Sequence, residues 1–267
     1  MDALGAACLE VFGHAPTRVT PLHGGDLSVV MRLRLADGME VVAKQGPMVD
    51  REARMLAAIA AAGVPAPRVL GQSGEVLFVE ALDEVRAGPG HWARFADDLA
   101  RLHATTGGGY GWAEDYAFGP VMIYNADAQD WPGFWAERRL LPFAPQMERG
   151  LAARVERLAG RLGDLLPAAP APALLHGDLW SGNLLATRNA IHLIDPACYF
   201  GDGEVDLAML HLFGGPGSGF LQGYGALAPG WELRRAVYSL FPALVHLRLF
   251  GAGYRAMVER FLDATGT

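Results

Sequence analysis

Cysteine is almost missing from the 267-residue sequence: Cys8 and Cys198 are the whole supply, too few for a disulfide framework, so a reducing compartment is expected. Positive charge is also in short supply, with 22 Lys and Arg against 29 Asp and Glu for a net charge of -7. Binding along a phosphate backbone needs clustered cations, so a nucleic-acid partner is not expected. Long uncharged apolar runs are absent too. The most apolar stretch, AVYSLFPALVHLRLF, is interrupted by Arg248, so no bilayer-spanning helix and no membrane partner are expected. The opening MDALGAACLEVFGHAP has an acid at Asp2 and no basic region ahead of its apolar residues, unlike a secretory leader. A cytoplasmic protein is the expectation. No internal repeat is present, and PAAPAPA is a short connector. What the chain does have is bulk: 51% of its residues are hydrophobic, enough for one large domain or two closely joined lobes.

Strand signals crowd the first third. DALGAACLEVFG reads as a short helix, and VTPL, LSVVMRLRLAD and GMEVVAKQ then carry β-branched alternation punctuated by Gly-Gly-Asp and Asp-Gly. VDREARMLAAIAAAG has apolar residues at helical spacing and stops at Gly63, with Pro65 beyond. RVLGQSGEVLFVEAL reads as a hairpin. Past Asp83 to Gly90 the pattern turns helical, in GHWARFADDLARLHA, DWPGFWAERRLLPF, LAARVERLAGRLGDLL and WELRRAVYSLFPALVHLRLF. The expected fold is therefore α+β, with a small antiparallel-sheet lobe over 1–83 and a larger, mainly helical lobe over 84–267.

The chemistry concentrates in HGDLWSGN, residues 176–183. Phosphoryl transfer from a nucleotide is mostly positioning and charge stabilisation, and it needs a carboxylate facing the acceptor hydroxyl and hard oxygen ligands for Mg²⁺. An Asp followed after four residues by Asn delivers a base and a metal ligand, here Asp178 and Asn183. A third acid, Asp195, follows NLLA and AIHLI, two short apolar strands separated by TRN. A hairpin there brings Asp195 back beside Asn183. Three unpaired polar side chains on an apolar flank are costly unless something uses them.

HGDLWSGN followed by IDP resembles the aminoglycoside-phosphotransferase-like branch of the protein-kinase-like fold. Trp180, YFGDGEVDLAMLHLFGG and the closing LVHLRLFGAGY resemble the fructosamine kinase (ketosamine-3-kinase) family more narrowly, over about residues 17–254. The resemblance implies ATP and Mg²⁺ as cofactors and assigns further positions. Lys44, ending the third strand pattern, belongs on the nucleotide phosphates, and Glu52 on the next helix pairs with it. HGGDLS, with Gly24, Gly25 and Asp26, stands where a glycine turn lets backbone N–H groups approach phosphates, although it lacks a full G-x-G-x-x-G. Glu80 and Leu82 would offer backbone groups to the adenine. Trp180 and His246 would flank the acceptor sugar. His176 is expected to brace the catalytic loop, Asp206 to cap a helix, and Trp131, Phe134 and Trp135 to pack in the core.

Only DPACYFGDGE lies between Asp195 and the next helix, too little for a switchable substrate-docking loop. The implied acceptor is a small ketosamine or a glycated amine, phosphorylated on a sugar hydroxyl as a deglycation repair. An aminoglycoside or choline-like acceptor is the alternative enzyme reading, and a non-catalytic nucleotide-binding scaffold the alternative from another class. A scaffold would tend to have lost one of Lys44, Asp178, Asn183 or Asp195. All four are present, and oligomeric state is left open by the sequence.

Overall fold

The computed structural model describes residues 3–22, 29–128 and 130–267. The chain opens with α1 (Ala3–Phe12), which lays Leu4, Ala7 and Cys8 against the sheet that follows. That sheet contains β1 (Arg18–Pro21), β2 (Val29–Arg34), β3 (Glu40–Gln45), β4 (Val69–Ser73) and β5 (Val76–Glu80), with α2 (Val49–Ala61) inserted after β3. Its order is β1-β2-β3-β5-β4 and every pairing is antiparallel. The β2–β3 connection turns at Asp37-Gly38: Gly38 takes φ +88°, and the Asp37 carboxylate accepts from the Met39 N–H at 2.9 Å. Helix α2 places acids in its first turn, buries Met55, Leu56 and Ile59 at helical spacing, and ends before Gly63 at φ +72°.

The rest of the chain is mainly helical. It runs through α3 (Pro89–Ala104), the hairpin β6 (Tyr116–Phe118) and β7 (Val121–Ile123), α4 (Trp131–Phe134), α5 (Arg149–Ala159) and α6 (Leu162–Leu165). Next come β8 (Ala173–Leu175), β9 (Leu184–Ala186), β10 (Ile191–Leu193) and β11 (Tyr199–Gly201), and finally α7 (Glu204–Leu210), α8 (Phe220–Tyr224), α9 (Trp231–Phe250) and α10 (Arg255–Ala264). The α+β expectation holds. Two expected helices differ in detail. DWPGFWAERRLLPF forms one α-helical turn, a π-helical stretch at Trp135–Leu140 and a 3₁₀ stretch at Leu141–Gln146. Pro142 and Pro145 cannot donate to an α ladder, so the last segment tightens instead of continuing. LAARVERLAGRLGDLL is split in two, because α5 ends at its C-cap Gly160.

Trp131, Phe134 and Trp135 are fully buried and pack with Tyr199, Tyr238 and Phe241, as core residues should. Arg139 is buried among them, its guanidinium 4.2 Å from the Tyr199 ring centre and 4.7 Å from that of Phe134. It donates to the Tyr124 carbonyl at 2.5 Å and to Asn125 Oδ1 at 2.7 Å, so ring faces and neutral acceptors replace a carboxylate. Among the described residues no helix is long and apolar enough to cross a membrane.

Candidate active site

The loop between β8 and β9, which carries Asp178 and Asn183, is pinned by a buried acid. Asp206, on α7, is fully buried and accepts from the backbone N–H of His176 at 2.7 Å and of Gly177 at 2.9 Å. His103 Nε2 adds a third donor at 3.2 Å, while Tyr224 closes on His103 Nδ1 at 2.7 Å. This corrects the expectation that Asp206 caps a helix: α7 starts after Gly203, and the Asp206 side chain points away from that terminus to hold the loop. Nothing local in EVDLAML distinguishes a clamp from a cap, because the groups it clamps lie some thirty residues upstream in the chain.

His176 braces the same loop, as expected. Its Nε2–H donates to the Ile194 carbonyl at 3.0 Å and its Nδ1 accepts from the Asp178 N–H at 3.3 Å, which fixes the tautomer. Burial pushes the imidazole below its ordinary pKa, against the nearby Asp206. Gly177 lies at φ +82° with the Ala197 carbonyl pressed against its Cα. A Cβ there meets backbone, so glycine is required.

The hairpin β9–β10 pairs Ile191 with Ala186 and Leu193 with Leu184, and the Ile194 N–H donates to the Asn183 carbonyl at 3.1 Å. Asp195 is thereby carried back to Asn183, as the apolar strands implied. Among the described residues Asp195 is the only non-glycine with positive φ, at +54°, a conformation that Asp tolerates better than most residues. Its carboxylate meets Lys44 of β3. The Lys44 ammonium in turn meets Glu52, so one buried cation bridges two acids from distant parts of the chain. These carboxylates outweigh the desolvation that works against the ammonium and hold the Lys44 pKa above its ordinary value.

Asp178, Asn183 and Asp195 are therefore not unpaired. Asn183 Nδ2 donates to the Asp178 backbone carbonyl at 2.8 Å and to Asp178 Oδ2 at 2.9 Å. That leaves Asn183 Oδ1 without a protein partner among the described residues. Burial pushes the Asp178 carboxyl up to about 7; the Asn183 hydrogen bond opposes this, and the Asp195 and Asp206 charges add to it. Among the described residues no three His, Cys, Asp or Glu side chains gather as a metal cluster. The amide oxygen of Asn183 and the carboxylate of Asp195 are instead a sparse, hard donor pair. That fits a cation such as Mg²⁺, which draws much of its coordination from water and phosphate oxygens.

These groups open on one cavity of about 650 Å³, lined by Lys44, Glu52, Asp178, Asn183 and Asp195, with Trp180 and His246 also in its wall. His246 Nδ1 donates to the Pro242 carbonyl one turn back on α9 at 2.7 Å, which leaves Nε2 as an acceptor. Burial lowers its pKa and keeps the ring neutral at pH 7. The structure also brings in rings that no sequence expectation named: Phe213, Phe250 and Tyr254 line the same cavity. Aromatic content alone could not have singled them out from core residues.

The other expected positions fall elsewhere. Glu80 and Leu82 do not line this cavity. Glu80 spends its N–H on the Arg68 carbonyl at 2.9 Å and its carboxylate on the Arg68 guanidinium at 3.1 Å, whereas the Leu82 backbone has no protein partner among the described residues. Gly24, Gly25 and Asp26 lie outside the described residues.

The model of the family described as fructosamine kinase matches residues 8–265. A Thermus thermophilus protein named "Probable ketoamine kinase" is 38% identical over 274 residues, which cover 98% of this chain and 98% of its own. The crystal structure of a Thermobifida fusca protein named "putative fructosamine-3-kinase" superposes with a TM-score of 0.90 at 32% identity, covering 99% of both chains. A macrolide 2'-phosphotransferase from Brachybacterium faecium, at 20% identity with 98% of each chain covered, reaches a TM-score of 0.65 and shows the shared protein-kinase-like fold alone.

Proposed function

The chain belongs to the fructosamine kinase family, and from that premise we propose that it transfers the γ-phosphate of ATP to a sugar hydroxyl of a ketosamine. ATP use follows from the kinase family itself. The observation that carries the reading is the convergence of Lys44, Asp178, Asn183 and Asp195 on one cavity that Trp180 and His246 also line.

In this proposal residues 1–83 hold the nucleotide and 84–267 carry catalysis and the acceptor. Lys44, directed by Glu52, draws the phosphates into line. Gly24, Gly25 and Asp26 contribute to the phosphate cradle, and the adenine edge falls to the unpartnered Leu82 backbone, because the Glu80 N–H is already donated to the Arg68 carbonyl. Asp178 takes the hydroxyl proton as the acceptor oxygen attacks. A pKa near 7 suits this, because such a base is largely ionised at neutral pH and still basic enough to accept. Asn183 and Asp195 would hold Mg²⁺, which supplies charge neutralisation on the transferred phosphoryl group. Trp180 offers an aromatic face to sugar C–H groups, and His246 offers Nε2 to a sugar hydroxyl. The acceptor class supports a deglycation-repair role, and the scarcity of cysteine supports a cytoplasmic setting. The net charge of -7 supports a small-molecule acceptor over a polyanion.

ADP release with Mg-ATP across fructosyl-, ribulosyl- and erythrulosyl-amines, kanamycin and choline tests the reading, with Asp178→Asn as the control. Turnover confined to ketosamines is expected. Turnover on kanamycin or choline alone, or none on any acceptor, would overturn it.

A further inference from the structure

A phosphoryl group in transfer carries its charge on its oxygens, yet the side chains that would receive it here are mostly acids. Among the described residues in the cavity wall, Glu52, Asp178 and Asp195 are acidic and Lys44 is the one cation besides any protonated histidine, its ammonium already shared between Glu52 and Asp195. Any further side-chain donor in that wall is a neutral group. Three tyrosines stand there among the described residues. Tyr254 packs on His246 and Phe250, with ring centres 5.0 Å and 5.8 Å away. Tyr238 gives its hydroxyl to Asp202 at 2.7 Å. Tyr116 gives its hydroxyl to no protein group among the described residues.

Two tethers place Tyr116. In β6 it pairs with Ile123, and strand alternation sends Tyr116 and Phe118 to the cavity while Ala117 is buried on the other face. Just before it, the Asp115 carbonyl accepts from the Arg51 guanidinium, and the Glu114 carboxylate pairs with Arg54 at 2.7 Å. Both arginines are on α2, where Arg51 directly precedes Glu52. The helix that directs Lys44 thus also fixes the strand that carries Tyr116. Burial first, and then the charges of Glu52, Asp195 and Asp178, hold the phenol above its ordinary pKa, so it keeps its proton and remains a donor. Those three acids are the ones of the phosphoryl-transfer centre.

We propose that Tyr116 is a further catalytic residue, its hydroxyl donating to an oxygen of the phosphoryl group as that group passes from ATP to the acceptor. The inference rests on the phosphoryl-transfer reading and holds for any acceptor hydroxyl. No bond to Tyr116 forms or breaks: the phenol keeps its proton, Asp178 takes the acceptor's, and ADP leaves. The donor offsets repulsion between the phosphoryl oxygens and the three carboxylates around them.

Tyr116→Phe tests this with the fold kept, since the lost hydroxyl leaves no protein group unpaired and the ring retains its edge contact with Phe118, 5.7 Å between centres. Calorimetry without acceptor compares Mg-ATP with Mg-ADP, which differ by the transferred group. The variant is expected to bind Mg-ADP as wild type does and Mg-ATP about tenfold more weakly, the scale of one hydrogen bond to a charged group. With fructosyl- and ribulosyl-amines, kcat/KM for ATP should fall by about 10- to 100-fold while the acceptor KM and the melting temperature stay unchanged. Equal losses for Mg-ATP and Mg-ADP would put the hydroxyl on Glu52 or Asp195, and a rise confined to the acceptor KM would put it on the sugar. Unchanged kcat/KM, or a lowered melting temperature with both nucleotides bound as before, would leave Tyr116 a packing residue. Each of these outcomes overturns the proposal. If wild type turns over no ketosamine, the proposed reaction fails instead, and the Mg-ATP to Mg-ADP comparison decides the role of Tyr116 on its own.

Discussion

The Asp206 carboxylate holds the loop that carries Asp178 and Asn183 through the backbone of His176, accepting its N–H at 2.7 Å while Gly177 donates to the other oxygen at 2.9 Å. A helix in the second half of the chain thus sets the position of a loop whose reactive side chains point the opposite way, into the cavity. The clamp is a pair of charge-assisted hydrogen bonds away from water, the setting in which such bonds are strongest.

Replacing Asp206 should therefore cost both stability and turnover. Asp206→Ala leaves two buried N–H groups and His103 without their acceptor, a loss on the order of 3 kcal/mol. Asp206→Asn keeps the shape but can satisfy only part of the donor set, so it should fall between wild type and alanine in a denaturant titration. kcat should drop further than KM rises, because the loop and not the nucleotide site is displaced. A variant with normal kcat would show that the clamp is not needed to place Asp178.

His176 predicts a pH effect of defined sign. Its folded pKa lies below the ordinary 6.5, so above that pH folded and unfolded chains both hold it neutral and its contribution is complete. As pH falls below 6.5 the unfolded chain takes up a proton that the folded one resists, and stability declines until the folded pKa is reached. Asp178, raised above its usual value, acts in the opposite sense across overlapping pH values, so the whole curve is a poor readout. The difference between wild type and His176→Gln isolates the term. Denaturant midpoints from pH 8 to 5 should converge as pH falls, and parallel curves would count against a neutral, buried His176.

Lys44 joins two acids, and removing it should separate its structural from its catalytic contribution. Lys44→Met leaves Glu52 buried beside Asp195 with no cation, so a lowered melting temperature is expected along with loss of turnover by at least about 100-fold, the scale of a phosphate-stabilising charge. Adding Glu52→Gln removes the stranded charge and should restore much of the melting temperature without restoring ADP release. If the double variant regained activity, Lys44 would be a fold-stabilising residue and no more.

What could be foreseen from the sequence was the chemistry carried by short spacings. Asp178 and Asn183 are fixed by one loop, and Asp195 by the hairpin next to it, so their meeting follows from local geometry. Lys44 and Glu52 were also within reach, since each is placed by the element that bears it. The Asp206 clamp, the β8–β11 pairing of Leu175 with Tyr199 and the aromatic band of Phe213, Phe250 and Tyr254 depend on which distant segments pack together. No periodicity encodes that. The interrupted helix after Trp131 was missed for another reason: its apolar spacing suits an α-helix, Pro142 and Pro145 tighten only its last segment, and nothing in the spacing marks the π-helical stretch before them.

Asp178→Asn is the sharpest probe, because function and stability should move in opposite directions. The change is isosteric and keeps a group for Asn183 to meet, so nucleotide affinity should survive while turnover falls by about 10²–10⁴-fold, the usual contribution of a general base. The carboxyl is pushed up to about 7 by burial and the nearby acids, against 3.8 ordinarily, so the folded protein binds this proton more tightly than the unfolded chain. Stability is therefore lost as pH rises from about 4 through 7, and a neutral amide escapes that loss. At pH 8 the variant should be the more stable by about 1 kcal/mol or more, allowing for the solvent that still reaches this side chain. In wild type, kcat/KM should fall below pH 7 as the base takes up its proton, and this acidic limb should move lower as divalent cation is raised, since added positive charge favours the carboxylate. An acidic limb near 4 at the lowest divalent cation that supports turnover, or a variant no more stable than wild type at pH 8, would mean that the carboxyl is not held up by its surroundings.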